Sequence, residues 1–195
     1  MTFVKSRPDA PADFFQVEAA GLRWLAVPGG VPVAAPAGWN GDGYIGTLPL
    51  PHAVDPPPSW GAFYANLRLR PYLQEWEELE RVCQRLESGV YDDPAEEPAR
   101  IHGDLWSGNV VWTPDGVHLI DPAAHGGHRE TDLAMLALFG LPHLERVLRA
   151  YDEVRPLADG WRERVGLHQL HPLVVHAVLF GGGYIGQAIE VSRRY

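Results

Sequence analysis

The stretch that most constrains this chain lies between residues 100 and 122. Two short apolar runs, Val110-Val111-Trp112 and Val117-His118-Leu119-Ile120, flank Thr113-Pro114-Asp115-Gly116. Proline early and glycine late in a four-residue segment mark a tight turn, and the flanking runs alternate enough to pair as a hairpin. A hairpin brings its outer ends together. Asn109, just before the first strand, and Asp121, just after the second, are therefore expected side by side. Asp104 stands five residues ahead of Asn109, in a polar loop that presents its carboxylate at the edge of the same small sheet.

An amide oxygen and a carboxylate converging on one point suit a hard cation such as Mg²⁺, which takes oxygen ligands and usually only one or two from protein. A second carboxylate beside that pair is placed to accept a proton from a substrate hydroxyl. This is the division of labour of kinase phosphoryl transfer. His102-Gly-Asp-Leu-Trp-Ser-Gly-Asn109 with Ile120-Asp-Pro122 resembles the signature of aminoglycoside-phosphotransferase-like kinases, within the protein-kinase-like superfamily. More narrowly, the runs from Asp121 to Gly140 and from Asp42 to Pro51 resemble the fructosamine kinase (ketosamine-3-kinase) family.

The resemblance implies an α+β, protein-kinase-like fold with a mainly helical large lobe and a small N-terminal lobe. It implies transfer of the γ-phosphoryl group of ATP, with Mg²⁺, to a sugar hydroxyl of a ketoamine. Asp104 would then be the catalytic base, and Asn109 and Asp121 the metal ligands. Lys5 would reach the nucleotide phosphates, held by an ion pair from Glu18. On the residues alone, Lys5 and Glu18 read more readily as surface positions. Asp132, a carboxylate inside an apolar helical run, must be paired or hydrogen-bonded, and the resemblance makes it a brace for the catalytic loop. Trp60, Tyr64 and Arg68, with His125, are the residues available for a sugar site through stacking and hydrogen bonding. An aromatic stripe at helical spacing is, however, more commonly core.

Composition bounds the alternatives. The chain has 195 residues, one ordinary domain in size, and a formal net charge of -9. There is no basic footprint for nucleic acid or an anionic membrane, so a small-molecule partner is expected, such as a glycated amine or sugar. Cys83 is the single cysteine, which removes any internal disulfide framework and suits a reducing cytoplasm. The first residues lack the apolar run of a signal peptide. Leu173 to Ile189 reads as a buried C-terminal helix rather than a membrane span. Asp121, His125 and His128 could be written as a transition-metal site, but no His-Glu-x-x-His helix motif supports it, and His102 reads as a loop brace.

Helical spacing runs through 13–25 with Asp13 as N-cap, 59–73 capped by Ser59, 75–86, 129–139, 144–154 and 167–189. Residues 43–58 read as a stiff, extended connection, and 123–128 as a glycine-bearing loop. Lys5 lies too near the start for a phosphate-covering loop ahead of it. The step from Val31–Trp39 to Asp42 leaves no room for a strand pair, adenine hinge and helix. The expectation is therefore a remnant of a small lobe over 1–40 and a large lobe over 41–195. Its rival is a weakly active or inactive binding or scaffold protein. A sheet edge left exposed by the shortening could be covered by a second copy, giving a homodimer.

Overall fold

A computed structural model describes residues 7–8, 10–26, 43–53, 57–72 and 76–195. Lys5 and the 27–42 segment, where the adenine hinge is expected to be missing, lie outside the described residues. The kinase-like α+β class holds: short antiparallel strand pairs sit against a helical body. No described helix is long and apolar enough to cross a membrane.

Helix α1 covers Phe14–Leu25 and buries Phe14 and Leu22. Asp13 occupies its N-cap position but makes no side-chain cap; its carboxylate accepts instead from the Tyr44 hydroxyl at 2.8 Å. Residues 43–50, expected as an extended connection, form a hairpin of β1 (Gly43–Ile45) and β2 (Leu48–Leu50). The turn needs a positive φ, which Gly46 supplies at 60°.

Ser59 caps α2 (Trp60–Phe63), accepting from the Ala62 N–H at 3.1 Å. The chain then widens into a π-helical stretch, Tyr64–Leu69, before a 3₁₀ turn, Arg70–Tyr72. Helix α3 (Glu77–Glu87) buries a stripe of Leu79, Val82, Cys83 and Leu86. Further on, α4 (Glu130–Phe139), α5 (Leu144–Val154), α6 (Trp161–Phe180) and α7 (Gly183–Ser192) complete the body. The C-terminal run expected as one helix breaks between α6 and α7, where Gly181 and Gly182 take φ of 63° and 62°, values that only glycine adopts cheaply.

One contact explains the core's register. Pro172 lies inside α6, and a proline there cannot donate to the carbonyl four residues back. The Tyr64 hydroxyl fills the gap: it lies 3.0 Å from the Leu167 and His168 carbonyl oxygens, to which it donates, and accepts from the His171 N–H at 3.0 Å. Burial raises its pKa far above the phenol range. Tyr64 therefore repairs a broken helix and is 1% exposed. Its expected place in a sugar site is replaced by a place in the core.

Candidate active site

Three pieces of the chain build the site. Strand β3 (Ala99–Ile101) pairs antiparallel with β6 (His125–Gly127), which sequence spacing read as a loop because two glycines hide its alternation. Strands β4 (Val110–Thr113) and β5 (Gly116–Leu119) form the expected hairpin, from Val110 opposite Leu119 to Thr113 opposite Gly116. The loop from 102 to 109 lies between the two sheets, and each of its turns is pinned.

Gly103 has φ of 78°, and a Cβ at this position would collide with the Ala123 carbonyl oxygen. Only glycine lets the loop pass so close to the strand behind it. The Asp132 carboxylate, reaching up from α4, accepts from the His102 N–H at 2.7 Å and the Gly103 N–H at 2.9 Å. His102 bonds Ile120 O through Nε2 at 2.9 Å and accepts the Asp104 N–H on Nδ1 at 3.3 Å. Accepting on Nδ1 requires the Nε2–H tautomer, and burial, lowering the imidazole's pKa, keeps the ring neutral. Both residues act as braces, the use expected of them.

Asn109 is buried, and its amide nitrogen donates to the Asp104 carbonyl oxygen at 2.8 Å and to Asp104 Oδ2 at 3.1 Å, with the Asp121 carbonyl oxygen 3.4 Å away. With that nitrogen committed to Asp104, the carboxamide oxygen is the atom left for a cation. Asp121 follows directly from β5 with φ of 53°, in a left-handed conformation that a non-glycine residue holds only when its surroundings require it. Asp104 and Asn109 thus meet at one end of the hairpin, with the Asp121 main chain beside them. Glu18 lies half-buried on α1; Lys5 is outside the described residues.

Two features here were not singled out from sequence. Trp106, two residues past Asp104, is 40% exposed and sets its ring edge-on against Phe139, 6.1 Å between centroids. Phe139 in turn packs on His176, which touches Phe180 and Tyr184. An aromatic wall therefore runs from the 102–109 loop to the break between α6 and α7. The only sequence signal for it was that Phe139, His176 and Tyr184 fall near helix ends.

The second feature is a cavity of about 1260 Å³ between α1, the start of α2 and residues 122–128. Trp60, Arg68 and His125 line it, whereas Asp104, Asn109 and Asp121 are not among its described lining residues. His125 nonetheless abuts the 102–109 loop, since a Cβ at Gly103 would lie 2.9 Å from its ring. Arg68 Nε donates to His125 Nε2 at 3.1 Å, and His125 Nδ1 bonds Ala123 O at 2.7 Å. Both imidazole nitrogens are occupied, so His125 cannot ligate a metal.

Beyond β6 the chain is clamped by charge. Arg129 grips Glu96 at 2.6 and 2.9 Å, and Arg164 grips Glu130 at 2.6 and 3.0 Å. Donor atoms of His128, Glu130 and His168 lie within 4.8 Å of one another. Glu130 is already neutralised by Arg164, and His128 Nδ1 accepts the Glu130 N–H at 3.2 Å. That leaves the proton on the other ring nitrogen, so the cluster is a hydrogen-bonded anchor for α4 rather than a cation site.

Comparison with known proteins agrees with this geometry. Residues 33–195 match the family model described as fructosamine kinase. The probable ketoamine kinase of Thermus thermophilus is 32% identical over an alignment covering 97% of this chain and 86% of that protein. One from Klebsiella aerogenes is 36% identical over 76% of this chain and 53% of its own length, so the chain spans about half of that relative. A crystal structure from Thermobifida fusca, described provisionally as a fructosamine-3-kinase, superposes with a TM-score of 0.82 at 42% identity, covering 96% of this chain and 82% of that one. A second, from Haemophilus somnus, has a TM-score of 0.69 at 24% identity over 80% of this chain and 55% of that one, and bears on the fold alone. A 102–109 loop braced by Asp132, the Asp104–Asn109 contact beside Asp121 and these matches lead to one assignment: the chain belongs to the fructosamine kinase family.

Proposed function

We propose that this protein transfers the γ-phosphoryl group of ATP to a sugar hydroxyl of a ketoamine. The observation that carries the reading is the double contact of the Asn109 amide with Asp104, made at the mouth where Asp121 also arrives. A base held from one side keeps its remaining lone pairs directed at an incoming hydroxyl, so the entropy of alignment is spent in folding rather than in the reaction. Asp104 takes the hydroxyl proton. The Asn109 carboxamide oxygen and the Asp121 carboxylate are hard donors of the kind Mg²⁺ selects. When bound, Mg²⁺ neutralises phosphate charge and orients the transferring group. Lys5, paired with Glu18, steadies the phosphates.

The aromatic wall of Trp106, Phe139 and His176 offers flat, polarisable surfaces beside Asp104. The C–H face of a sugar and an apolar aglycone both pack well on such surfaces. A glycated amine presents the two together, which supports a ketoamine over a free sugar.

We also assign 1–40 to a shortened small lobe and 41–195 to the large one. The alignment with the Thermus relative runs over 231 residues, so at least 36 of its positions have no counterpart among the 195 residues here. Incubation with labelled ATP, Mg²⁺ and a panel of ketoamines tests the function: label is expected on the sugar of at least one ketoamine and on none of the parent amines. Transfer to none of the panel rejects the reading.

A further inference from the structure

Arg68 is 1% exposed. Its Nη1 donates to the Pro51 and Leu67 carbonyl oxygens at 2.7 and 2.8 Å, and its Nε donates to His125. The face of the guanidinium lies over the Phe63 ring, 4.6 Å from its centroid. Nη2 is buried and has no hydrogen-bond partner. No carboxylate pairs with this cation among the described residues; its only acceptors are carbonyl oxygens and a neutral imidazole. Burial lowers its pKa, but only to about 10, so the charge persists at neutral pH.

An isolated buried charge is among the most expensive features a fold can carry, and proteins pair such groups. Two other guanidinium groups of the body follow that rule, Arg129 with Glu96 and Arg164 with Glu130. Arg23 also buries both Nη atoms without a hydrogen-bond partner but does not line the cavity. Arg68 differs in that it forms part of the wall of the large cavity. We propose that Arg68 anchors a second ligand site in this cavity, built for the carboxylate of a small monoanion with an apolar body.

The walls select the ligand. Trp24, Pro58, Trp60, Phe63 and Pro122 give apolar surface, which favours a hydrocarbon or aryl body. One guanidinium with one unused nitrogen matches one carboxylate. Asp92, Asp93 and Glu97 stand on the rim and oppose a phosphate dianion, which would need more than one cation. The site backs onto the catalytic loop, since a Cβ at Gly103 would meet the His125 ring as well as Ala123. It does not depend on the kinase reading, because none of the catalytic three lines it.

The test is a thermal-unfolding titration of the full chain with monocarboxylates from acetate to phenylacetate, each beside its neutral amide, with inorganic phosphate as a further arm. A carboxylate at about a hundredfold over its Kd is expected to raise the midpoint by about 5–10 °C. The amide should leave it unchanged. The shift should persist in Asp104→Ala, which separates this site from the catalytic one, and vanish in Arg68→Met. If Arg68→Met does not fold, the acid–amide pairs on the unaltered chain decide alone. Equal shifts from acid and amide, no shift from any carboxylate, a shift retained in Arg68→Met, or a larger shift from phosphate each overturn the proposal.

Discussion

The amide nitrogen of Asn109 is bonded to Asp104 twice, at the main-chain oxygen and at Oδ2, 2.8 and 3.1 Å away. One side chain thus fixes both the path of the catalytic loop and the orientation of its carboxylate. Replacing it by alanine removes the clamp and a proposed metal donor together and leaves the Asp104 carbonyl with the Trp106 N–H as its one remaining backbone donor. Turnover in Asn109→Ala is expected to fall about 10²-fold or more, with a loss of about 0.5–1.5 kcal/mol in stability from the lost amide hydrogen bonds. Steady-state kinetics beside a urea titration checks both parts; unchanged turnover would show that the clamp does not matter.

Asp121 can be probed without disturbing the backbone. Its φ of 53° is a conformation that asparagine tolerates and alanine does not. Asp121→Asn should keep the wild-type melting temperature within about 1–2 °C and lose Mg²⁺-dependent ATP binding by calorimetry. Full retention of that binding would remove Asp121 from the metal site.

Tyr64→Phe deletes one oxygen and strands the groups that Pro172 left unpaired in α6. The expected cost is about 2–4 kcal/mol from two carbonyls and one N–H losing a buried partner, measured by chemical denaturation. Less than about 0.5 kcal/mol would mean that α6 rearranges to pair them itself.

Acidification should weaken the fold before it reaches the carboxylates. Burial, reinforced by His168 nearby, pushes His128 from 6.5 to about 4. Because the folded value is the lower one, the unfolded chain takes up the proton first. Stability is full above pH 6.5 and drains as pH falls toward 4. His168, lowered by burial against the pull of Glu130, acts in the same direction. Glu130 feels an upward push from burial, but His168 and Arg164 outweigh it and hold the carboxyl at about 2, so its contribution is lost only between 4.5 and 2. Between pH 7.5 and 5, His128 alone is worth about 2 kcal/mol. His128→Gln should flatten the slope of denaturant midpoint against pH over that window by the same amount.

Much of the catalytic mouth was legible in the sequence, because its signals are local. Thr113-Pro-Asp-Gly116 announces a turn, a turn between apolar runs fixes which residues meet at the other end, and a lone carboxylate in α4 has to find donors. What was not legible depends on tertiary choices. Periodicity places Trp60, Tyr64 and Arg68 on one stripe but cannot say which of them faces a cavity and which faces a helix broken at Pro172. Gly127, which lets β6 lie close against Ile101 of β3, erases together with Gly126 the alternation that marks a strand. The large cavity draws its walls from segments more than a hundred residues apart, from Val17 to His128, and no local pattern encodes it.

The central claim is that Asp104 is the base of a phosphotransferase. Asp104→Ala is well suited to test it, since Asn109 still bonds the main-chain oxygen at 2.8 Å and the loop keeps its shape. The decisive measurement is the rate of label transfer from γ-labelled ATP to a ketoamine by this variant, set beside the unaltered chain and with circular dichroism confirming the fold. A drop of about 10²–10⁴-fold is the predicted result; transfer at an undiminished rate by a folded Asp104→Ala protein would contradict the account.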